Sequence, residues 1–351
     1  MALTFSASIR VTCGVSAWAA AGAGCMAAPH GIVKYGETVA WNGFCQLERS
    51  TCPAPPPRGT IDSHTPRVPY VRGSPLEIAS LTEAIFFNDG ERFVPTERAS
   101  SPWGPDVLHG GPPAGLLARA IERARPLPGM MVVRLTVDLF RPVPKVPLEV
   151  RTQVVRAGRR IQVVEASLIA NGIEVSRAAG LMLHRSDIQL PPNALIDGPP
   201  PHGPAGIATT GLSVAAFPPR WEGFHTTIEV RRVSGAPGGG PSAAWIRIPF
   251  PLVAGESMTP LVRVAATSDF GNGLSHIRAD GNMGFINADI TLYLHREAAG
   301  EWICLDAHSG AHTYGIGMIQ TAIHDERGPV GLAVQALLAN AHSAPAPSSR
   351  M

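Results

Sequence analysis

The feature that most constrains this chain is an internal repeat. Residues from about 76 to about 341 form two copies of one module, a helix followed by a run of β-strands, at an offset of 155 residues. At that offset Thr136 corresponds to Thr291, and Arg141 to Arg296. Each module's sheet has an apolar face that one long helix can cover. Joining the modules edge to edge would remove one exposed sheet edge from each. The repeat therefore predicts an α+β fold with one continuous antiparallel sheet.

The first module opens with a predicted hairpin at Asn88-Asp89-Gly90. Its helix follows His109-Gly-Gly-Pro-Pro-Ala-Gly, because prolines are tolerated in the first turn of a helix. Alternating apolar residues and turn signals, above all Asn171-Gly172, then predict four strands. These strands are 131–140, 148–157, 160–170 and 173–183.

The second module repeats that order. Two strands are predicted at 226–233 and 242–249, followed by a helix at about 259–270. Four more strands follow at 286–294, 302–308, 315–324 and 330–338.

Outside the modules the sequence predicts linkers. We divide the chain into a leader with a Pro-rich linker (1–73), an N-terminal module (74–190), a linker (191–222), a C-terminal module (223–341) and a tail (342–351). Residues 74–85 fit a short helix or a first strand. The leader is interpreted as unstructured or as a start placed too far upstream, which implies a cytoplasmic protein. Export through a weak signal with cleavage near Cys25 is the alternative.

Composition excludes several classes of function. Apolar residues make up 45% of the chain and charged residues 16%, with a net charge of +2, so no basic surface for a nucleic acid is predicted. Outside the N-terminus no apolar run is long enough to predict a membrane span. Cysteine and histidine spacings predict no metal site, and there is no Gly-x-Ser-x-Gly elbow or phosphate-binding loop in context. Cys304 in an apolar strand is interpreted as a small buried hydrophobe.

Several motifs together resemble a known family, the double-hotdog acyl-CoA thioesterases of the thioesterase II (TesB-like) group. The resemblance covers about residues 76 to 341 and depends on the order and spacing of the motifs. They are the His109 motif, Phe-Arg-Pro at 140–142, Thr-Ser-Asp-Phe at 267–270, the strand at 287–296, Gly-Glu-Trp-Ile-Cys-Leu at 300–305 and Ala-Val-Gln-Ala at 333–336.

The resemblance implies a catalytic set. In that family an Asp at the end of the second helix, a Ser or Thr on the following strand and a Gln on the last strand hold a water. Carried over by position these are Asp269, Asn287 and Gln335, and Asn287 departs from the pattern by offering an amide in place of a hydroxyl. From the residues alone, Asp269 also fits a turn beside Gly271, and Gln335 an edge or solvent-facing position.

A substrate-binding element is predicted where the first helix begins. The backbone N–H groups of His109, Gly110 and Gly111 could bind an oxyanion or another anion. Equally, the two glycines could serve a tight entry into the helix and close packing on the sheet. His276 and His295 lack a partner at a diagnostic spacing and are interpreted as structural or exposed.

The leading function is hydrolysis of a fatty acyl-CoA thioester to free acid and coenzyme A, without a metal or cofactor. The resemblance implies that the acyl chain lies between helix and sheet. A hydratase acting on enoyl-CoA and a non-catalytic acyl-CoA binding protein are the alternatives; the Asn287 departure motivates the second of these. Acyl-chain length stays open, as does the choice between a monomer and a homodimer.

Overall fold

A computed structural model describes residues 83–124, 127–212, 221–236, 239–277 and 283–341. They all belong to one compact unit, residues 69–351. The predicted leader and linker (1–73), the segment 74–82 and the tail from 342 lie outside the described residues. Among the described residues no helix is long and apolar enough to span a membrane, and none of their acidic, histidine or cysteine side chains form a group that could hold a metal ion.

The first module has the predicted order of elements. The Asn88–Gly90 turn joins the first two strands, and Gly90 has a φ of 108°. Asn171 and Gly172, with φ angles of 50° and 77°, form the two-residue turn between the last two. The elements are β1 (Phe86–Asn88), β2 (Phe93–Pro95), β3 (Ser100–Ser101), β4 (Gly104–Leu108), α1 (Gly111–Arg123), β5 (Met130–Asp138), β6 (Leu148–Ala157), β7 (Ile161–Ala170) and β8 (Ile173–His184).

The second module repeats this order with two differences from prediction. The strand predicted at 226–233 begins with a helical turn, and the strand predicted at 286–294 is divided in two by a bulge. The elements are α2 (Phe224–Thr227), β9 (Glu229–Ser234), β10 (Ser242–Arg247), α3 (Pro260–Ser268), α4 (Gly271–Leu274), β11 (Met283–Asn287), β12 (Asp289–Leu294), β13 (Ile303–Ala311), β14 (Ile316–Asp325) and β15 (Gly328–Ala341).

Thirteen of the described strands form one sheet, in the order β1-β2-β6-β7-β8-β5-β12-β15-β14-β13-β10-β9, with β11 also paired to β15. The modules meet at β5 and β12, where Thr136 lies opposite Thr291 and the hydroxyl oxygens are 3.5 Å apart. Two residues related by the repeat therefore pair with each other, as expected where a pseudo-two-fold axis crosses an antiparallel pair. The predicted continuous sheet is confirmed, and the fold is a double hotdog.

The two long helices cover one face of the sheet and pack against each other. Leu116, Leu117 and Ile121 of α1 are at most 1% exposed, and burying each contributes about 1.5–3 kcal/mol. Helix α3 begins at Thr259, whose hydroxyl accepts the Val262 N–H at 3.3 Å. This packing brings the start of each long helix close to the end of the other.

Candidate active site

Asp269 caps the C-terminal end of α3 and is 8% exposed. A carboxylate is disfavoured there, because the last carbonyls of a helix carry partial negative charge. A buried charge in such a place requires hydrogen-bond donors from elsewhere in the fold. The expectation of a helix-terminal residue is confirmed, and donors from other elements of the fold surround its carboxylate.

Three groups surround the Asp269 carboxylate. His109 Nδ1 lies 2.7 Å from Oδ2, and Asn287 Nδ2 donates to Oδ1 at 2.7 Å. The third is the Gly111 N–H, which is also 3.2 Å from His109 Nδ1. Nδ1 must carry a proton to donate to the carboxylate, and a protonated Nδ1 cannot accept a hydrogen bond. We therefore assign the Gly111 N–H as a donor to the carboxylate and not to Nδ1.

These donors control the ionisation of Asp269. Burial alone would raise its pKa, but neighbouring His109 and the hydrogen bonds from His109, Asn287 and Gly111 hold the pKa below its usual value. Asp269 is therefore ionised at neutral pH and is a weak base. Its geometry suits orienting His109, since a proton fixed on Nδ1 leaves Nε2 as the basic ring nitrogen.

The His109 ring is held between aromatic side chains. Its centroid lies 5.4 Å from that of Phe224 and 4.6 Å from that of Phe270, and the two phenyl rings stack at 5.2 Å. Nε2 makes no hydrogen bond to any residue that the structure describes. Burial lowers the pKa of neighbouring His225 to about 4, so His225 is neutral at pH 7. His109 is the ring of this cluster whose Nδ1 lies against the Asp269 carboxylate.

The two glycines permit this close approach. A Cβ on Gly110 would lie 2.7 Å from Asp269 Oδ2, and one on Gly111 would clash with the Ala266 carbonyl and the Phe224 ring. The glycines serve close packing as predicted, but their partners are the end of α3 and the Phe224 ring and not the sheet. The predicted anion-binding role narrows to one donor, the Gly110 N–H. The His109 N–H donates to the Ala99 carbonyl at 3.0 Å, the Gly111 N–H is engaged by Asp269, and the next two residues of α1 are prolines. Gly110 N–H has no partner among the described residues.

Gln335 lies on β15 beneath the helical turn α4. Its side chain is 0% exposed, so a solvent-facing position is wrong, and neither end of its amide has a partner among the described residues. The Thr321 hydroxyl on β14 is equally buried and unpartnered. Both meet Gly271, where a Cβ would lie 2.8 Å from Thr321 Oγ1 and 3.0 Å from Gln335 Oε1.

A bulge next to Gln335 positions Asn287. Asn287 pairs with Leu337, and Thr291 pairs with Val334. The three residues between Asn287 and Thr291 therefore lie opposite only two residues of β15. Leu337 is two residues from Gln335 on β15, which places Asn287 on the same face of the sheet as Gln335. Asn287 Oδ1 is buried without a partner in the described structure.

The structure brings together five of the six residues predicted for the site. Asp269 contacts His109 and Asn287 directly, while Gly110 packs against the same carboxylate and the Gly111 N–H is directed to it. Gln335 makes no hydrogen bond to them in the described part of the chain, but it lies under the turn that follows Asp269.

Sequence reasoning missed two features of the site. It did not pair His109 with Asp269, and it did not select Thr321. The signal for Thr321 was a hydroxyl alternating with Ile319 and Ile323 on the buried face of a strand.

The opposite end of the helix pair offers a comparison. There the Thr259 hydroxyl donates to the Glu122 carboxylate at 2.5 Å, as His109 does to Asp269. Burial raises the pKa of Glu122, and Glu297 adds to the rise. A cavity of about 220 Å³ opens at this end, but Arg119 beside it is fully engaged by Glu256 at 2.5 and 2.6 Å.

The sheet beneath Glu122 is apolar. At the repeat offset, Asn287, Thr321 and Gln335 correspond to Val132, Ala166 and Gly180. A Cβ on Gly180 would lie 2.5 Å from Ile121 Cγ2, so the helix fills that space. In the described part of the chain, the polar side chains of Asn287, Thr321 and Gln335 thus occur at one end of the helix pair, and apolar residues take their places at the other end.

Comparisons with known proteins agree with the fold. A family model described as the acyl-CoA thioesterase N-terminal domain matches residues 99–183, and one described as the acyl-CoA thioesterase C-terminal domain matches residues 204–339. A search of curated proteins found no match.

Three solved structures illustrate the similarity. A conserved protein of unknown function with a hot dog fold from Alicyclobacillus acidocaldarius has 16% identity and a TM-score of 0.55, over 75% of this chain and 98% of the other. A candidate thioesterase II from Thermobifida fusca has 16% identity and a TM-score of 0.53, over 78% and 99%. A tesB protein from Mycobacterium avium subspecies paratuberculosis has 14% and 0.51, over 75% and 98%. At these identities the likeness concerns the fold.

Proposed function

Because this chain belongs to the acyl-CoA thioesterase family, we propose that it hydrolyses a fatty acyl-CoA thioester to the free acid and coenzyme A. The observation that carries the proposal is the buried Asp269 carboxylate bonded to His109 and Asn287, with the unpartnered amide of Gln335 beneath the turn that follows Asp269. A charge and polar groups so placed suit a reaction in which a water must be held and activated.

The water is held by the amide groups of Asn287 and Gln335. Asn287 uses its NH₂ group on Asp269 and keeps Oδ1 as an acceptor. Gln335 keeps both a donor and an acceptor. A water that accepts one hydrogen bond and donates another is fixed in orientation, which removes much of the entropy cost of attack.

The proton is taken by the histidine and aspartate pair. The water oxygen attacks the thioester carbonyl carbon while His109 Nε2 accepts a water proton, and the Asp269 carboxylate stabilises the imidazolium. When the tetrahedral intermediate collapses, the carbon–sulfur bond breaks and the proton passes from His109 to the departing thiolate. Asp269 stays ionised throughout, in keeping with its lowered pKa.

The oxyanion is stabilised at the start of α1. Gly110 N–H is the backbone donor there that the described structure leaves unused, because Gly111 N–H is directed to Asp269. Loss of one such donor commonly costs about 10²–10³-fold in kcat.

The His109–Asp269 pair also favours a second candidate, an enoyl-CoA hydratase. A basic Nε2 could transfer a proton at the carbon next to the thioester carbonyl, with water adding at the next carbon. The histidine of this pair comes from the first module and the aspartate from the second. Gln335 and Asn287 favour hydrolysis, since both remain available to hold a water.

The test is release of free thiol from a panel of acyl-CoAs of increasing chain length by the full chain. We expect release, an on the order of 10³-fold lower kcat/KM in Asp269→Asn, and near-normal activity in the matched control Glu122→Gln at the opposite end of the helices. Loss of enoyl absorbance without thiol release would favour the hydratase. If the protein binds acyl-CoA but catalyses neither reaction, both proposed enzyme activities are contradicted and a binding protein is favoured.

A further inference from the structure

The buried hydroxyl of Thr321 has no structural task in the described fold. Its backbone pairs with Ala307 and Ala333 in the sheet, so the strand needs no help from the side chain. The side chain is 0% exposed, and Oγ1 has no hydrogen-bond partner among the described residues. A buried hydroxyl left without a partner destabilises a protein, so a valine at this position would be better for stability alone.

The position of this hydroxyl connects it to the site. Thr321 and Gln335 lie on adjacent strands: Gln335 is opposite Ile319, and Thr321 is two residues further along the same face. Gly271 packs onto both, and a Cβ there would lie within 3.0 Å of an oxygen of each. Gly271 in turn follows Asp269 by two residues.

The repeat gives an independent observation. The residue that corresponds to Thr321 in the first module is Ala166, which is 1% exposed. An apolar residue thus fills the equivalent buried position, and the residue that corresponds to Gln335 there is Gly180. The second module, which carries Asp269, has both the Thr321 hydroxyl and the Gln335 amide. The first module has neither group at the corresponding positions.

We propose that Thr321 is a further catalytic residue, whose hydroxyl binds the attacking water together with Gln335. This inference rests on the proposed hydrolysis. It also accounts for the departure at Asn287, because the hydroxyl that the family pattern places on the strand after the helix is supplied here from β14. The Thr321 hydroxyl can donate one hydrogen bond and accept another. It can therefore bind the lone pair or the proton of the water that Asn287 and Gln335 leave without a partner.

The experiment compares Thr321→Val, which removes the hydroxyl at constant shape, with Thr321→Ser, which keeps it. With the acyl-CoA that the full chain hydrolyses best, we expect kcat of Thr321→Val to fall on the order of 10²-fold, as for loss of one preorganised donor, with KM changed less than about twofold. Thr321→Ser should retain most of kcat. Thr291→Val, another threonine of the sheet, is the matched control and should leave kcat unchanged.

Thermal unfolding separates this role from a structural one. Thr321→Val should have a Tm equal to or above that of the unaltered protein, since it removes an unpartnered polar group, while its activity falls. An unchanged kcat in Thr321→Val would overturn the inference. A lowered Tm in Thr321→Val, together with a kcat in Thr321→Ser that is as low as in Thr321→Val, would also overturn it. Absence of thiol release in the unaltered chain would instead overturn the hydrolysis and this inference with it.

Discussion

Gly110→Ala should inactivate the site without unfolding the protein. Gly110 has φ −65° and ψ −25°, a conformation that alanine adopts without strain. The added Cβ would lie 2.7 Å from Asp269 Oδ2 and 3.0 Å from Cγ and Oδ1. Ordinary contact begins at 3.4 Å, so the carboxylate must move by about 0.7 Å. The 2.7 Å bonds from His109 and Asn287 would then stretch or lose their alignment. A misplacement of about 1 Å at a reacting group costs about 10²-fold in rate, or roughly 2.7 kcal/mol.

Steady-state thiol release gives kcat/KM for Gly110→Ala, and Gly115→Ala is its control. Gly115 lies on the same helix, and its added Cβ would meet Leu252 methyl groups at 3.1 and 3.2 Å and the Ala266 Cβ at 3.3 Å, contacts that shifts of a few tenths of an ångström relieve. We expect a loss on the order of 10²-fold for the first variant and less than threefold for the second. Activity of Gly110→Ala within threefold of the unaltered protein would refute the argument that the Asp269 geometry is critical.

Asp269→Asn and His109→Gln should be strongly non-additive, with the double variant about as impaired as either single one in kcat/KM, because the two act as a unit; additive losses would show separate roles. Arg296→Met should lower the free energy of unfolding by about 3 kcal/mol in denaturant titration, because it leaves the buried Asp325 charge without its bidentate partner. Burial raises the pKa of Asp325, but Arg296 and the backbone N–H donors outweigh it and hold the pKa low. This stabilisation is therefore present above the usual Asp pKa of 3.8 and lost as pH falls through the folded value, so the two proteins should converge in stability in acid; a constant gap would contradict it. Burial raises the pKa of the Cys304 thiol to about 12, so this cysteine should resist a thiol reagent at pH 8 until the protein unfolds, as judged by mass spectrometry of its peptide.

The strands were predictable because their signal is local. The turn at Asn171-Gly172 and the alternation of apolar residues determined β7 and β8. The strand predicted at 315–324 is observed at Ile316–Asp325, 155 residues after β7. That offset is conserved in the strands because paired strands tolerate no slip of register. The bulge after Asn287 was not predictable, since it depends on how β11 and β12 share β15.

The site was predictable where the family resemblance supplied positions, and it was missed where pairing depends on the packing of the two modules. Nothing local connects His109 to Asp269; the contact forms because α1 begins where α3 ends. Thr321 gave a weak signal, because one hydroxyl on an apolar strand is common and its meaning depends on Gln335 across the sheet. The unpartnered state of both side chains is visible in three dimensions alone.

The central claim is that a water held in this cluster attacks the thioester carbonyl directly. Single-turnover hydrolysis with enzyme in excess, in water enriched in oxygen-18, tests it by mass spectrometry of the released acid. The account predicts that the acid of the first turnover carries one labelled oxygen and that Asp269 carries none. Unlabelled acid, with the label in the peptide that contains Asp269, would contradict it, because the carboxylate would then be the nucleophile.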